Sequence, residues 1–514
     1  MALLVALILL LVIGGSLAAL LSAAPLETGA LMADSYIRHV LVFTTLQAAL
    51  SAVLSVGLAL PVARALARRT GFPGRTLLLR LFGLPMVIPS IVAVFAIVAL
   101  YGEGGWLHRL AAGLGLPLGS FLYGLSGILI AHVFFNMPFA ARTLLAALEA
   151  VPGESWRLAS QLGMDSGQVF RLIEWPALRG AVGSTAGLVF MLCFASFAVT
   201  LTLGGGPAWA SLEAAIYQAL RYDFDPPRAA VLALLQVAVS GVMLLLLHGL
   251  LVPAPVSPGI GRPTPRPDVA GTGTRVLDAI ILILAALYVG LPVLATVISG
   301  ITGALVLGAW STWRAAAVGI AVAAVATLLA NLGALLLILS RRRLARGDVV
   351  QFMGSLPLAC SPLALGAGLF ILLLRLGAPL DLGLGLVALV NGLMGLPYVV
   401  RVVAPPAREA AERHDRLAAS LGISGWNRWR LVDWPLLRGP IGLASALVAA
   451  LSFGDLGAIA LFGTSNTATL PLLIYQQLAA YRLDAAAATA LLLVALALGG
   501  FVAMERVVGG PGRG

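Results

Sequence analysis

Runs of mainly apolar residues, each long enough to cross a lipid bilayer as a helix, recur along the whole chain. A hydrocarbon core about 30 Å thick needs roughly 18 or more such residues in helical conformation. Charged residues make up only 10% of the chain, whereas soluble domains carry about 25%. The sequence therefore predicts an all-α, polytopic membrane protein with twelve transmembrane helices. The runs lie near 1–23, 38–63, 81–101, 122–147, 181–203, 229–252, 276–298, 315–340, 355–375, 382–403, 440–462 and 485–506.

The arginine distribution predicts which side of the membrane each loop faces. All 32 basic residues are arginine, and short loops rich in basic residues stay on the cytoplasmic side. With both termini in the cytoplasm, all but seven of these arginines fall inside, in the C-terminal segment, at two adjoining helix ends, or in the loops near 64–80, 148–180, 253–275, 341–354 and 404–439. Because the arginines lie between apolar runs, the net charge of +11 indicates membrane topology and not a nucleic-acid surface.

The chain divides into two similar halves. Residues 253–275 are rich in Pro and Gly and lack an apolar period, so they predict a flexible cytoplasmic linker. The linker separates a first half of six runs (1–252) from a second half of six runs (276–514). The phrase "RLIEWPALRG" at 171–180 returns as "RLVDWPLLRG" 259 positions later. Because six spans separate the two copies, the repeat is parallel and its axis follows the membrane normal.

Two cytoplasmic loops, 148–180 and 404–439, contain the clearest part of the repeat. The first is predicted to form a short helix, a stop at Gly163 and a second short helix that ends at Pro176. The second loop keeps this plan, with its stop at Gly422 and its proline at 435. Each half is therefore expected to carry a bent helix pair on its cytoplasmic side.

An exposed aromatic side chain is expected on each loop, Phe170 in the first and Trp429 in the second. Two matched projections suit a partner that is itself a symmetric dimer. The alternative is that these are ordinary loops whose duplication reflects gene fusion. That alternative does not explain why the loops resemble each other more than the spans do, because loops usually vary most.

The spacing within these loops resembles that of the cytoplasmic loops of ABC importer permeases, which dock into a cleft on the ATPase subunit. Glycine is followed, after nine residues, by Ile-x-x-Pro in the first copy and Val-x-x-Pro in the second. Most of that superfamily has Glu-Ala-Ala six residues before the glycine, where this chain has "RLA" at 157–159 and 416–418. The resemblance implies ATPase docking by Arg157, Gly163, Phe170, Ile173, Trp175, Pro176, Arg416, Gly422, Trp429, Val432, Trp434 and Pro435.

The same resemblance implies two copies of a cytoplasmic ABC ATPase as partners, one for each loop. ATP and Mg would be bound by that ATPase, so this chain is expected to need no cofactor and not to be an enzyme. The sequence contains no GxxxxGK[ST] phosphate loop and no lysine with which to build one.

A narrower resemblance covers nearly the whole chain. The Arg-Leu-Ala triplets, Trp before each proline, the fused twelve-span layout and stretches such as "SFGDLGAIALFG" at 452–463 are similar to the permeases of bacterial thiamine and thiamine pyrophosphate ABC importers. This implies an inner-membrane permease that receives its cargo from a periplasmic or surface thiamine-binding protein. A ferric-iron permease with the same layout is an alternative. An ion-coupled secondary transporter is another, because twelve spans in two parallel halves would also suit it.

Polar residues that interrupt apolar runs are the candidates for the translocation path. They are Asp455, Asn136, Ser196 and Asn391, and polar groups at this depth face the bundle interior or a cavity. Hydrogen bonding between helices is the alternative role for each. Asp455 is the strongest candidate, because a lone carboxylate could attract a thiazolium cation or pair with an arginine. Neither a metal site nor a catalytic residue is predicted, since both cysteines lie in or beside apolar runs without CxxC or histidine partners.

Overall fold

The chain is a bundle of α-helices in a computed structural model. The structure describes residues 2–24, 34–116, 119–250, 266, 268, 271–303, 307–340, 354, 356–377, 382–464 and 466–509. These ranges contain no β-strand. Most of the predicted linker and of the loop near 341–354 lies outside the described residues.

The first half contains fourteen described α-helices. They are α1 (Ala2–Leu9), α2 (Gly15–Ala23), α3 (Ser35–Arg68), α4 (Arg75–Leu81), α5 (Leu84–Val87), α6 (Ser90–Tyr101), α7 (Trp106–Gly113), α8 (Leu125–Glu149), α9 (Gly153–Gln161), α10 (Ser166–Val169), α11 (Trp175–Phe194), α12 (Phe197–Leu203), α13 (Leu212–Arg221) and α14 (Pro226–Leu250). A π-helical turn, Leu10–Gly14, joins α1 to α2, and another, Phe170–Glu174, joins α10 to α11. A short 3-10 helix, Pro207–Trp209, precedes α13.

The second half contains nine described α-helices. They are α15 (Thr272–Thr302), α16 (Trp310–Ser340), α17 (Pro362–Arg375), α18 (Gly383–Ser420), α19 (Gly425–Arg428), α20 (Trp434–Phe453), α21 (Gly457–Phe462), α22 (Leu470–Ala479) and α23 (Leu483–Gly509). The π-helical turn Trp429–Asp433 joins α19 to α20, and a 3-10 helix, Leu356–Ala359, precedes α17.

The helices confirm the predicted all-α membrane fold. Among the described residues, ten helical segments are long and apolar enough to cross a membrane. Two shorter apolar helices, Leu7–Ala23 and Pro362–Arg375, occupy the first and ninth predicted runs. Together these segments correspond to the twelve runs read from the sequence.

Four predicted spans are interrupted in the described part of the chain, one of them near 355–375, where Ser361 is extended between the 3-10 helix and α17. The run near 81–101 breaks before α6, where Ile88 and Pro89 have extended backbone conformations. A residue that precedes proline is driven out of the helical region, which accounts for this break. The runs near 181–203 and 440–462 break after Phe194 and Phe453, two residues that are 259 positions apart.

Two short helices, α13 and α22, were not predicted as elements. Each has ten residues, so it is too short to cross a bilayer. They contain the related stretches "IYQAL" at 216–220 and "IYQQL" at 474–478, so they are equivalent in the two halves. Both follow the second helix of an interrupted span, α12 or α21.

The first helix of each half packs against the other half. In the first half, α2 packs against α17, and the Ser16 hydroxyl donates to the Leu365 carbonyl at 3.0 Å. In the second half, α15 packs against α3 and α6, and the Tyr288 hydroxyl donates to the Ile130 carbonyl at 2.7 Å. The halves therefore interlock and do not merely lie side by side.

Small residues allow this close packing. A Cβ atom at Gly368 of α17 would lie 2.1 Å from the Ser16 hydroxyl and 2.6 Å from its carbonyl oxygen. A Cβ atom at Gly395 of α18 would lie 2.5 Å from Val448 of α20. In a bilayer, where helices gain little from hiding apolar surface from water, such close approach is a main source of association.

Candidate functional site

The first elbow, which we define as residues 148–180, turns at Gly163. This residue has a φ of 61°, in the left-handed region, directly after α9. The Met164 N–H donates to the Ala159 carbonyl at 3.0 Å and closes the end of the helix. Asp165 then caps α10, since its side chain accepts from the Gln168 N–H at 2.8 Å and the Gln168 side chain accepts from the Asp165 N–H at 3.1 Å. The glycine stop predicted from the sequence has this geometry.

The predicted helix ends at the elbow prolines are wrong. α10, its π-turn and α11 form one helical segment from Ser166 to Phe194, and Pro176 lies within it. Pro435 is likewise inside the continuous segment Gly425–Phe453. Proline lacks an N–H and its ring collides with the carbonyl four residues earlier in a regular α-helix. In both copies the wider π-turn directly upstream accommodates the proline, so the elbow continues into the span.

The second elbow, residues 404–439, departs further from the prediction. α18 runs without a break from its span to Ser420, so the elbow does not begin with a separate short helix. In the first half, the chain leaves the helix after α8 and enters α9 through an extended Pro152. The sequences explain the difference, because "AVPG" at 150–153 corresponds to the helix-forming "EAAE" at 409–412. Gly422 keeps its role, with a φ of 66°.

The inner face of the first elbow is packed. Trp156, Ala159 and Val169 are buried together, with Met164 and Ile173 against them. This small core fixes the angle between α9 and α10.

The aromatic residues expected to be exposed are half-buried. The ring of Phe170 lies under the guanidinium of Arg64, 4.4 Å from the ring centroid, and Trp429 is also half-buried. The more exposed aromatics are Trp426 (73%), Trp175 (42%) and Trp434 (38%), and Trp426 has no aromatic equivalent in the first elbow, where Gly167 takes its place. Phe170 is covered because a cation over an aromatic face is favourable, which the spacing of the motif could not indicate.

The outer faces of the two elbows expose matching apolar side chains. Equivalent leucines project from both copies, and Leu172 and Leu431 are 58% and 61% exposed. The full set is Leu158, Leu162 and Leu172 in the first elbow and Leu417, Leu421 and Leu431 in the second. Sequence reasoning missed them as site residues, although a leucine repeated at a cytoplasmic position is a usable signal.

The predicted elbow residues fall into two groups. Those exposed beside the leucines are Arg157, Gly163, Trp175, Pro176, Arg416, Gly422, Trp434 and Pro435. Those partly buried against the membrane side of the elbows are Phe170, Ile173, Trp429 and Val432. The first group can touch a partner directly, whereas the second shapes the elbow.

A buried carboxylate lies at the base of each elbow, and sequence reasoning missed both. Glu174 is fully buried, and its Oε2 lies 2.6 Å from Arg64 Nε of α3. The equivalent residue in the second elbow, Asp433, is buried and has an oxygen 3.7 Å from Arg428 Nε. An acid at the fourth position of both copies of the repeated phrase is the sequence signal that could have identified them.

Two of the predicted path residues tie helices together. Asn136 of α8 is buried and donates to Cys193 Sγ of α11 at 3.3 Å. Asn391 of α18 is buried and donates to Ser452 Oγ of α20 at 3.1 Å. Cys193 and Ser452 are equivalent positions, so the same pair of helices is joined in each half, although the two asparagines are not equivalent, since Asn136 aligns with Gly395.

The other two path candidates lie in the interrupted spans. Ser196 precedes α12 and Asp455 precedes α21, and both are partly exposed. The Asp455 carboxylate accepts from the Gly457 and Ala458 N–H groups, each at 3.1 Å. A carboxylate in this place therefore caps a short helix.

A second acid, Glu213 of α13, brings the first half to this point. α13 packs against α17 and α21 of the second half, which places the Glu213 carboxylate on the side of the break at Asp455, and Ser361 hydrogen-bonds to it. Gln236 Nε2 of α14 donates to Glu213 Oε1 at 3.0 Å. Glu213 is buried. The sequence did not identify it because it lies between two predicted spans, where an outer loop is expected.

Comparison with known proteins places these features in a family. The family model described as the binding-protein-dependent transport system inner membrane component matches residues 55–255. This match includes the whole first elbow.

Relatives named thiamine transport system permease protein align over both halves. The protein from Brucella abortus is 44% identical over 472 residues, which are 90% of this chain and 87% of the relative. The protein from Escherichia coli is 43% identical over 491 residues, 93% of this chain and 90% of the relative. The protein from Haemophilus influenzae is 38% identical over 496 residues, with coverage of 94% and 91%.

Proposed function

Because the chain belongs to the family of thiamine transport system permease proteins, within the binding-protein-dependent inner-membrane components, we propose that it is the permease of an ATP-driven thiamine importer. Its cargo, thiamine or thiamine pyrophosphate, would arrive on an external binding protein and leave into the cytoplasm. The chain is a multi-pass protein of the bacterial inner membrane, and both termini are assigned to the cytoplasm from the arginine distribution.

The observation that carries this proposal is the pair of equivalent elbows. Each has a left-handed glycine and an outward set of leucines, together with one exposed tryptophan in the first elbow and two in the second. Two copies of a cytoplasmic ATPase would each accept one elbow. Exposed leucines and an indole are the kind of side chains that fill a cleft on a partner. ATP and Mg would be bound by that ATPase, and this chain would not itself catalyse a reaction.

The helices at the elbows suit the transmission of movement. The segment from Ser166 to Phe194 links the first docking surface to the interior of the bundle without a flexible joint. In the second half, α18 and the segment Gly425–Phe453 leave the elbow in the same way. When ATP brings the two ATPases together, such levers would rock the halves between inward and outward states.

The interrupted spans are the proposed path. Glu213 of the first half lies on α13, which packs against α21, the helix that Asp455 of the second half caps, and thiamine contains a permanently charged thiazolium ring. Carboxylates from both halves would attract that cation and would separate as the halves rock. Ser196 lies at the equivalent break in the first half, and Asn136 and Asn391 would hold the flanking helices in register.

The function is tested in vesicles that contain the permease together with its ATPase. ATP hydrolysis and uptake of labelled cargo are measured with a thiamine-loaded binding protein and, in parallel, with a ferric-iron-loaded one. We expect stimulation and uptake with thiamine alone. Stimulation by the iron-loaded protein alone would overturn the substrate assignment, and uptake driven by an ion gradient without ATP would overturn the ATP-driven mechanism.

A further inference from the structure

The predicted linker between the halves contains two charged residues that are held inside a buried ionic cluster. Arg266 contacts Glu174 of the first elbow, and its Nε lies 3.1 Å from Asp268 Oδ1. Asp268 Oδ2 lies 2.7 Å from Nε of Arg68, the last residue of α3. Asp278 of α15 also faces Arg68, at 3.4 Å. We call these five residues the linker clamp.

The clamp is shielded from water. The side chains of Glu174 and Asp268 are fully buried, and those of Arg68 and Arg266 are 6% and 8% exposed. Buried ion pairs gain little net stability over apolar packing, but removing one partner leaves an uncompensated charge. A cluster of this kind is therefore better suited to fixing one geometry than to adding stability.

Further contacts join the clamp to the elbow. The Arg266 guanidinium lies over the ring of Trp156, 4.2 Å from its centroid. Arg68 Nη2 donates to Ser166 Oγ, the first residue of α10, at 2.7 Å. Both short helices of the first elbow are thus held from the side that faces away from the exposed leucines.

Four separate parts of the chain meet in the clamp. They are the end of span α3, the π-turn of the first elbow, the linker and the start of α15. Since α15 belongs to the second half but packs on α3 and α6 of the first, the clamp connects the first elbow to both halves. A linker that only tethered the halves would need none of these contacts.

We propose that the linker is a strut, in which Arg266 and Asp268 are positioning residues that transmit movement of the first elbow to α15. This inference rests on the proposed docking function of the elbows. The linker occurs once in the chain, and of its described residues Arg266 contacts the first elbow. The two elbows are therefore held differently, and the second also exposes Trp426 on its outer face.

The test uses the complete complex of permease, ATPase and binding protein in vesicles, and measures thiamine imported per ATP hydrolysed. For Arg266→Ala we expect this ratio to fall about ten-fold, within the usual range for coupling between sites, while the ATPase still co-purifies. Asp268→Asn, which keeps the shape of the side chain, should lower the ratio in the same direction. Arg109→Ala is the control, because it removes an exposed arginine that lies outside both elbows and the clamp, and it should leave the ratio unchanged.

A protease site placed between residues 253 and 264 tests whether the linker transmits movement through Arg266 and Asp268 or only connects the two halves covalently. Cutting there after reconstitution leaves Arg266 attached to α15, so we expect coupling to survive. If cutting lowers the ratio as much as Arg266→Ala does, the linker is a tether and the proposal fails. The proposal also fails if Arg266→Ala and Asp268→Asn both import as much thiamine per ATP as the wild type.

If Arg266→Ala does not fold, Asp268→Asn and the cut chain still test the proposal. Absence of ATPase binding to the wild type would instead contradict the docking function itself.

Discussion

Ser196 and Asp455 occupy equivalent positions in the two halves, each in the short break between a long helix and the helix that follows it. The two breaks are alike in backbone but differ in charge. At these two positions the first half has a hydroxyl and the second half a carboxylate. The breaks themselves are therefore asymmetric in charge, and the acid that the first half contributes to the proposed path, Glu213, lies outside its break.

Replacing Asp455 with Asn separates the charge of this residue from its capping role. The Asn side chain can still accept from a backbone N–H of α21, so the fold should persist. We expect thiamine uptake by reconstituted vesicles to fall roughly ten-fold, because a hydrogen bond to a charged group contributes about 1.5–3 kcal/mol. Uptake is measured with labelled thiamine under saturating ATP.

Asp455→Ala is the companion variant, since it removes the cap as well as the charge. It should lower uptake to the same extent and also destabilise the protein by about 1 kcal/mol. If Asp455→Asn transports like the wild type and only Asp455→Ala is impaired, the residue is a helix cap and not part of the path.

Replacing Gly163 and Gly422 together with Val should abolish co-purification of the ATPase. Both glycines have left-handed backbones, at φ of 61° and 66°, which cost other residues roughly 1–2 kcal/mol each. A Cβ atom there would meet nothing within 4 Å. The effect would therefore come from rearrangement of the elbow and not from a collision in the core.

Gly180→Ala and Gly439→Ala supply the control for this pair. These glycines are helical, lie in the same two elbows and also have open space around them. Both variants should bind the ATPase normally. Equal loss in the control and test proteins would mean that the turn at Gly163 and Gly422 is not the feature that the ATPase recognises.

The sequence was informative where the bilayer or the backbone imposes a rule. Twelve apolar runs predicted the fold because a helix must stay apolar across the whole hydrocarbon core. Gly163 predicted a left-handed turn because few other residues adopt that conformation. The predicted helix end at Pro176 was wrong because proline interrupts a regular α-helix, whereas a π-turn precedes Pro176. The sequence pattern did not indicate that π-turn.

The buried acids could not be predicted, since their roles depend on distant segments. Arg68 and Asp268 are 200 positions apart, and no local spacing connects them. Glu213 shares this difficulty, because its partners Gln236 and Ser361 lie on other helices. Glu174 and Asp433 are different, because they are equivalent in the two halves and the repeat itself was a signal for them.

Gly368→Ala should weaken the contact between the halves. The new methyl group would lie 2.6 Å from the Ser16 carbonyl oxygen, so two helices must move apart at a cost of about 1–3 kcal/mol. We expect a lower unfolding temperature in detergent. Gly241→Ala in α14, which has no atom within 4 Å of its added methyl, should not lower it.

The contribution of Asp268 to the linker clamp should be insensitive to pH near neutrality. Burial alone would raise the pKa of Asp268, but hydrogen bonds and charges from Arg266 and Arg68 outweigh it and hold the pKa below its ordinary value of 3.8. Stability from a lowered pKa is present above the ordinary value and is lost only as pH falls through the lowered one. Wild type and Asp268→Asn should therefore differ in stability by a constant amount, about 3 kcal/mol, from about pH 8 to about pH 5.

The comparison is made by unfolding both proteins in detergent across this range. A difference that shrinks steadily from pH 8 downward would contradict the assignment of a lowered pKa to Asp268.

The crossing of α2 with α17 has a consequence for biosynthesis. Ser16 and Leu365, which it brings together, are 349 positions apart. At roughly 5–20 residues per second, the ribosome needs on the order of tens of seconds to make the chain between them. For that time α2 lacks its partner beside Ser16, and that side of the helix is open to lipid or to an insertion factor. Completion of the second half is therefore also the step that finishes the first.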